Sequence, residues 1–207
     1  MKRRYWALGA GALVTAGACS TGLWEVPAIA VMNLTERTEF VVQGDTLLMS
    51  GEINSKTLDQ FEAIIAANAQ ITTLRELVVP GSLDDDTMIA LAYRVRALGL
   101  NTELVADSEI YSGGVDLFLA GVERRAERGA TVGVHSWSDG VNDAADFPRD
   151  SSEHEQNRKY IEDMLGADEF YWFTIYAAPA DGMHEMSDAE IVEYGLLTGP
   201  FAAPGDL

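Results

Sequence analysis

Between Leu74 and His135 the chain switches repeatedly between the period of a strand and the period of a helix, and this restricts the fold more than any other feature. Leu74–Val79 is a short apolar strand stopped by Pro80-Gly81. Asp84-Asp85-Asp86 then opens a helix carrying Ile89, Leu91, Val95 and Leu98, closed by Gly99. Leu104-Val105-Ala106 predicts a second strand, Val115–Val122 a second helix, and Thr131–Val134 a third strand ending at His135. Successive strands separated by helices pair in parallel, because a crossover must return the chain to the same end of the sheet. The expected fold class is therefore α/β, a largely parallel sheet with flanking helices in a single domain.

The flanking segments fit that scheme. Phe40-Val41-Val42 and Leu47-Leu48-Met49 surround Gly44-Asp45, a hairpin signal. Ser55–Asn68 places Leu58, Phe61, Ile64 and Ile65 on one helix face. Beyond His135 comes a polar loop with Asp139, Asp143, Asp146, Pro148 and Asp150, then a helix over Glu153–Leu165. The aromatic segment Phe170, Tyr171, Trp172, Phe173 and Tyr176 reads as core or an oligomer face rather than a peptide-binding wall. Ser187-Asp188-Ala189-Glu190 is a capping box that opens a last short helix. The carboxylates of Asp84, Asp85 and Asp86 suit the positive end of a helix dipole better than a metal, since no distal ligand cluster accompanies them. His154 and His184 read as surface residues.

The N-terminus is of a different kind. Lys2, Arg3 and Arg4 precede the small apolar stretch Ala7–Val14, and Ala16-Gly17-Ala18 gives a small-residue cleavage pattern before Cys19. Residues 1–18 are expected to be a signal peptide, 19–37 a linker, 38–200 the domain and 201–207 a C-terminal tail. The triplet before the sole cysteine also resembles a bacterial lipobox, with Ala16 where that motif usually has leucine. The resemblance implies a lipoprotein, anchored through Cys19 to a membrane of the bacterial envelope and facing the periplasm. A cleaved soluble protein and an uncleaved anchor are the alternatives, the latter weakened by Gly9, Gly11, Gly17 and Gly22.

Cleavage would remove three of the 14 basic residues and none of the 33 acidic ones, leaving 11 against 33, a net charge of −22. Such a surface repels phosphate backbones and argues against nucleic acid as a partner. With one cysteine the domain has no internal disulfide and no thiolate metal cluster. His135, His154 and His184 share no ligand-type spacing, so no metal is expected, nor any other cofactor.

α/β proteins place ligands at the C-terminal ends of parallel strands. Three such ends stand out: Pro80-Gly81-Ser82, Tyr111-Ser112-Gly113-Gly114 and Val134-His135-Ser136. A serine, a histidine and a glycine turn are the parts of acyl transfer, in which histidine takes the serine proton and backbone N–H groups receive the oxyanion. Ser112 would open a helix, whose dipole favours developing negative charge. The plainer alternatives stay open: Ser112 as the N-cap of that helix, and His135 as a strand-end histidine satisfied by a backbone carbonyl. Asp116, on the same helix face as Ser112, reads as exposed or as a hydrogen-bonding neighbour of the site.

The order of these pieces resembles the Clp protease proteolytic subunit and its crotonase-fold relatives. In that family a strand ends in S-P-G-G, the nucleophile opens a helix, and the base ends a V-M-I-H-Q-type strand. The matching pieces are Val79-Pro80-Gly81-Ser82, Ser112–Gly121, Val132-Gly133-Val134-His135 and the late Glu193-Tyr194-Gly195-Leu196-Leu197, which is similar to the family's E-Y-G-L signature. The resemblance spans Phe40 to Thr198 and implies βαβ-type repeats in a superhelical spiral. It implies Ser112 as nucleophile, His135 as general base, and the N–H groups of Gly81 and Gly113 as the oxyanion hole. Ser82 replaces the second glycine of the first motif. Met183 stands where the family has its aspartate, leaving Asp181 as the expected third member, with Glu185 and the more distant Asp168 as substitutes.

The reading that follows is an extracytoplasmic serine hydrolase, a ClpP-like peptidase working through an acyl-enzyme without a cofactor. Its partners would be a peptide or unfolded polypeptide, the membrane and, by resemblance, further copies of itself. The alternative is a retired domain that keeps the fold and binds peptide or envelope partners. An acyl-CoA enzyme is permitted by the fold but disfavoured by export.

Overall fold

The computed structural model describes residues 38–207. The expected leader, Cys19 and the linker lie outside the described residues. Strand β1 (Glu39–Gln43) turns back into β2 (Thr46–Ser50) through Gly44-Asp45. Gln43 pairs with Thr46, a two-residue loop that needs a left-handed residue, and Gly44 supplies it at φ +65°. Helix α1 (Thr57–Ala67) buries Phe61 completely and packs Leu58, Ile64 and Ile65 against the core.

The next elements are β3 (Thr73–Val79), α2 (Asp85–Ala97) and β4 (Asn101–Tyr111). They continue through α3 (Gly113–Phe118), β5 (Arg124–Ala126) and β6 (Thr131–Val134). β2, β3, β4 and β6 lie side by side in that order and pair in parallel, as the alternation requires. The sheet is mixed, since the β1–β2 and β6–β7 pairs are antiparallel, β7 being His184–Glu185.

β4 is longer than its apolar run suggests because it serves two neighbours. Its first half, Thr102–Leu104, pairs with β5, and its second half, Glu109–Tyr111, with β6. Between the halves the register against β3 jumps from Glu76–Leu104 to Val78–Glu109. Ser108 covers the irregularity. Its hydroxyl donates to the Glu76 carbonyl at 2.6 Å and accepts from Val105 N–H at 3.0 Å, so the backbone groups released by the bulge stay satisfied.

Helices α4 (Glu155–Leu165), α5 (Glu169–Ala177) and α6 (Asp188–Glu193) complete the domain. The aromatic run forms α5, with Phe170, Tyr171 and Ile175 in the core. α6 opens on the capping box of Ser187 and Glu190. It ends at Gly195, φ +68°, with Leu196 N–H returning to Ile191 O at 3.0 Å, a Schellman-type stop. The buried Arg124 then clamps this stop, donating to the carbonyls of Leu196 at 2.7 Å and Gly195 at 3.2 Å. That accounts for the late Tyr194-Gly195-Leu196 segment in structural terms. Residues beyond 200 are also tied down: Ala202 exchanges backbone bonds with Ala126 and Arg128, and the Glu127 carboxylate accepts from Gly205 and Leu207 N–H.

Candidate active site

Because β3, β4 and β6 are parallel neighbours, their C-terminal ends fall together, and each delivers one of the segments singled out in the sequence. β3 runs into Pro80-Gly81-Ser82, β4 into Ser112, and β6 into His135. The first turn is tied to the preceding loop: Ile53 N–H donates to Gly81 O at 2.9 Å, and Leu83 N–H donates back to Ile53 O at 2.8 Å.

Ser112 is the point of greatest backbone tension. It sits at φ +51°, ψ −124°, and is the one non-glycine residue with positive φ among the described residues. Such a conformation costs of order 1–3 kcal/mol and persists only where the surroundings enforce it. Here Ser112 N–H donates to Gly133 O at 2.9 Å, pinning the turn to β6. Gly81 and Gly113 make the tight fit possible: a β-carbon on Gly81 would stand 3.3 Å from Ser112 Cβ, and one on Gly113 would stand 2.5 Å from Ser82 Oγ. Gly113 is also the first residue of α3, so its N–H has no acceptor within the helix.

Both plainer expectations fail on inspection of the geometry. Ser112 occupies the N-cap position of α3, yet its hydroxyl makes no capping bond. His135 is not satisfied by a carbonyl; its Nδ1 is buried without a hydrogen-bond partner among the described residues. The two side chains line one cavity but are not hydrogen-bonded to each other. Catalytic bonds are commonly long before substrate binds.

Asp181 does not complete the group as expected. Its carboxylate is exposed, on the turn closed by Gly182 N–H to Pro179 O at 2.9 Å, and among the described residues no carboxylate reaches His135 Nδ1. The antiparallel pairing of β6 with β7 brings Met183 instead against Gly133, where its sulfur would lie 2.9 Å from an added β-carbon. Gly133 precedes His135 by two residues, so by strand alternation Met183 occupies the side from which the histidine projects. Glu185 is exposed opposite Gly133, and Asp168 is engaged with Arg158 and Trp172 Nε1 at 3.2 Å each.

Two further expectations are corrected. Asp116 is not an exposed residue: it is half-buried and lines the cavity beside Asp85, Tyr160 and Tyr171. Burial, with the nearby Asp85 carboxylate adding to it, pushes its carboxyl up to about 7. His154 is not on the surface but 1% exposed. Its Nδ1 lies 2.7 Å from Tyr171 Oη, which also accepts from Trp137 Nε1 at 3.0 Å, so a polar relay stiffens the cavity wall. No sequence signal marked His154, because burial of an isolated polar residue follows from how α4 and α5 pack. His184 is half-buried and pairs with Glu190 at 3.0 Å. Asp84 caps α2 by accepting from Thr87 N–H at 3.0 Å, and Asp85 receives the Ser82 hydroxyl at 2.5 Å.

Comparison with solved structures matches this architecture. The chain is similar to a mutant of the membrane-bound stomatin-specific protease 1510-N in complex with a substrate peptide, with TM-score 0.52 and 15% identity over 80% of this chain and 78% of that one. A second mutant of the same protease gives TM-score 0.54 and 16% identity over 77% and 79%. A Pseudomonas aeruginosa protein gives 0.51 and 14% over 80% and 77%. The fold is of the Clp protease and crotonase type. No protein-family model and no curated protein matches the chain. At this level of identity the chain shares its neighbours' fold, and its chemistry has to be argued from its own residues.

Proposed function

We propose that the chain is a serine hydrolase acting as a peptidase, with Ser112 as nucleophile and His135 as general base. The observation that carries this reading is the strained backbone of Ser112 at a strand-to-helix turn, the setting in which a serine hydroxyl is presented as a nucleophile. Ser112 Oγ attacks the peptide carbonyl while His135 accepts its proton. The oxyanion is received by the N–H groups of Gly81 and Gly113. His135 then returns the proton to the leaving amine, and water repeats the sequence on the acyl-enzyme. Without an acid on Nδ1 the tautomer of His135 is unguided, a loss that costs about 10⁴-fold in turnover in the serine-protease triad. Slow hydrolysis of activated substrates is therefore expected.

The basic and apolar leader with its small-residue triplet supports placing this activity outside the cytoplasm, on a membrane through lipidated Cys19. The Clp resemblance supports assembly into a homo-oligomer. Among the described residues no helix is long and apolar enough to cross a membrane.

A second reading, a retired domain that binds peptide in the same groove, is favoured by His135 Nδ1, unpartnered among the described residues, and by Met183 at the position of the family acid. A fluorophosphonate probe separates the two. Labelling of the full chain that maps to Ser112 and disappears in Ser112→Ala supports the hydrolase; a folded wild type that stays unlabelled supports the binding domain.

A further inference from the structure

The cavity shared by Ser112 and His135 has a chemical character that neither residue explains. Met88 and Ile161 supply apolar wall, while Asp85 and Asp116 bring two carboxylates. No lysine or arginine lines it among the described residues. Asp85 accepts the Ser82 hydroxyl, but the Asp116 carboxylate has neither hydrogen bond nor ion pair among the described residues. A half-buried, unpartnered carboxylate beside a second one is unfavourable in the empty site and calls for a positive group.

We propose that this cavity is a subsite for a lysine side chain, on the acyl side of the bond that Ser112 attacks. The proposal rests on the hydrolase reading for the position of that bond, but the preference for lysine stands on the cavity itself. A lysyl side chain matches both halves of the lining: its methylenes lie along Met88 and Ile161, and its ammonium meets Asp85 and Asp116. The cavity volume of about 60 Å³ holds roughly four water-sized groups at about 15 Å³ each, the order of a single unbranched side chain. An apolar side chain of the same length would seal Asp116 away from water without a partner, and an acidic one would add a third negative charge. The overall charge of −19 draws basic peptides in the same sense. A divalent cation is a poorer occupant, since no group of three or more acidic, histidine or cysteine side chains is placed to hold one among the described residues.

Binding tests this apart from catalysis. Full-chain Ser112→Ala protein is titrated calorimetrically with three acetylated tripeptides that differ only in a C-terminal lysine, norleucine or glutamate. The lysine peptide is expected to bind at least about tenfold more tightly than the norleucine peptide, a difference of ~1.4 kcal/mol, and the glutamate peptide more weakly than either. Asp116→Asn and Asp85→Asn, each checked for native circular dichroism, should bring the lysine-to-norleucine ratio close to one. Equal or tighter binding of norleucine, or no binding of any of the three, overturns the subsite. Lysine preference in a protein that fluorophosphonate does not label would uphold the subsite and end the hydrolase reading. Labelling at Ser112 without lysine preference would do the reverse.

Discussion

A β-carbon on Gly81 would stand 3.3 Å from the β-carbon of Ser112, and Gly81 itself sits at φ +140°. The turn after β3 and the turn after β4 are thus fitted to each other through a residue with no side chain. Gly81→Ala is expected to lower stability by about 1–3 kcal/mol through backbone strain. It should also cut kcat/KM for an activated ester at least about 10²-fold by displacing an oxyanion donor. Urea denaturation and ester hydrolysis measure the two effects; an alanine variant with unchanged activity would remove Gly81 from the proposed oxyanion hole.

Ser112→Gly and Ser112→Ala separate strain from chemistry. Both lose the hydroxyl, so both should lose labelling and hydrolysis. Only glycine accepts φ +51° freely, so Ser112→Gly is expected to be more stable than Ser112→Ala by roughly 1 kcal/mol. Equal denaturation midpoints would show that the turn stores no strain.

Glu76 predicts a pH dependence of folding. It is 0% exposed, both carboxylate oxygens lack hydrogen-bond partners among the described residues, and burial raises its pKa well above 4.5. A raised acid favours the folded state in its protonated form, so its contribution is fully present below about 4.5 and is lost as pH climbs through the folded value. Once the unfolded chain's acid is ionised, the buried group is a net cost to folding. Glu76→Met should therefore raise stability near pH 8 by about 1–3 kcal/mol and flatten the pH profile of urea midpoints. A profile parallel to that of wild type would contradict this account.

Asp116 predicts a pH dependence of selectivity. Asp85, His135, Tyr160 and Tyr171 line the same cavity, and its carboxyl is raised to about 7 by burial and by Asp85. Below that value the protonated acid offers no charge to a lysine; above it the carboxylate does. The lysine-to-norleucine binding ratio is expected to grow as pH rises from about 6 to about 8, and the growth should vanish in Asp116→Asn. A ratio independent of pH in wild type would place the selectivity elsewhere.

The legible parts of this protein were those set by local pattern. The Gly44-Asp45 hairpin, the apolar face of α1, the Asp84 cap of α2 and the Ser187 capping box each depend on residues within one or two turns of chain, so spacing suffices to find them. The short strands β5 and β7 were not legible, because Arg124–Ala126 and His184–Glu185 carry no alternation and become strands only by pairing with β4 and β6. The length of β4 was hidden for the same reason: the apolar run Leu104–Ala106 stops short of the polar Asp107, Ser108 and Glu109, and the two neighbours on one edge make them strand.

The sequence alone determined the parallel α/β order, and with it the strand ends that carry Gly81, Ser112 and His135, because alternating periods leave a chain few other ways to bury its apolar faces. Tertiary structure decided what surrounds them. The +51° φ of Ser112 arises from being held between Gly81 and Gly133. The missing acid on His135, among the described residues, goes with the antiparallel β7, which sets Met183 against Gly133 and leaves Asp181 exposed. The acidity of the cavity arises from α2 and α3 meeting at Asp85 and Asp116, residues 31 positions apart. Burial and unpartnered charge are properties of neighbours distant in the chain, and no local pattern of residues encodes them.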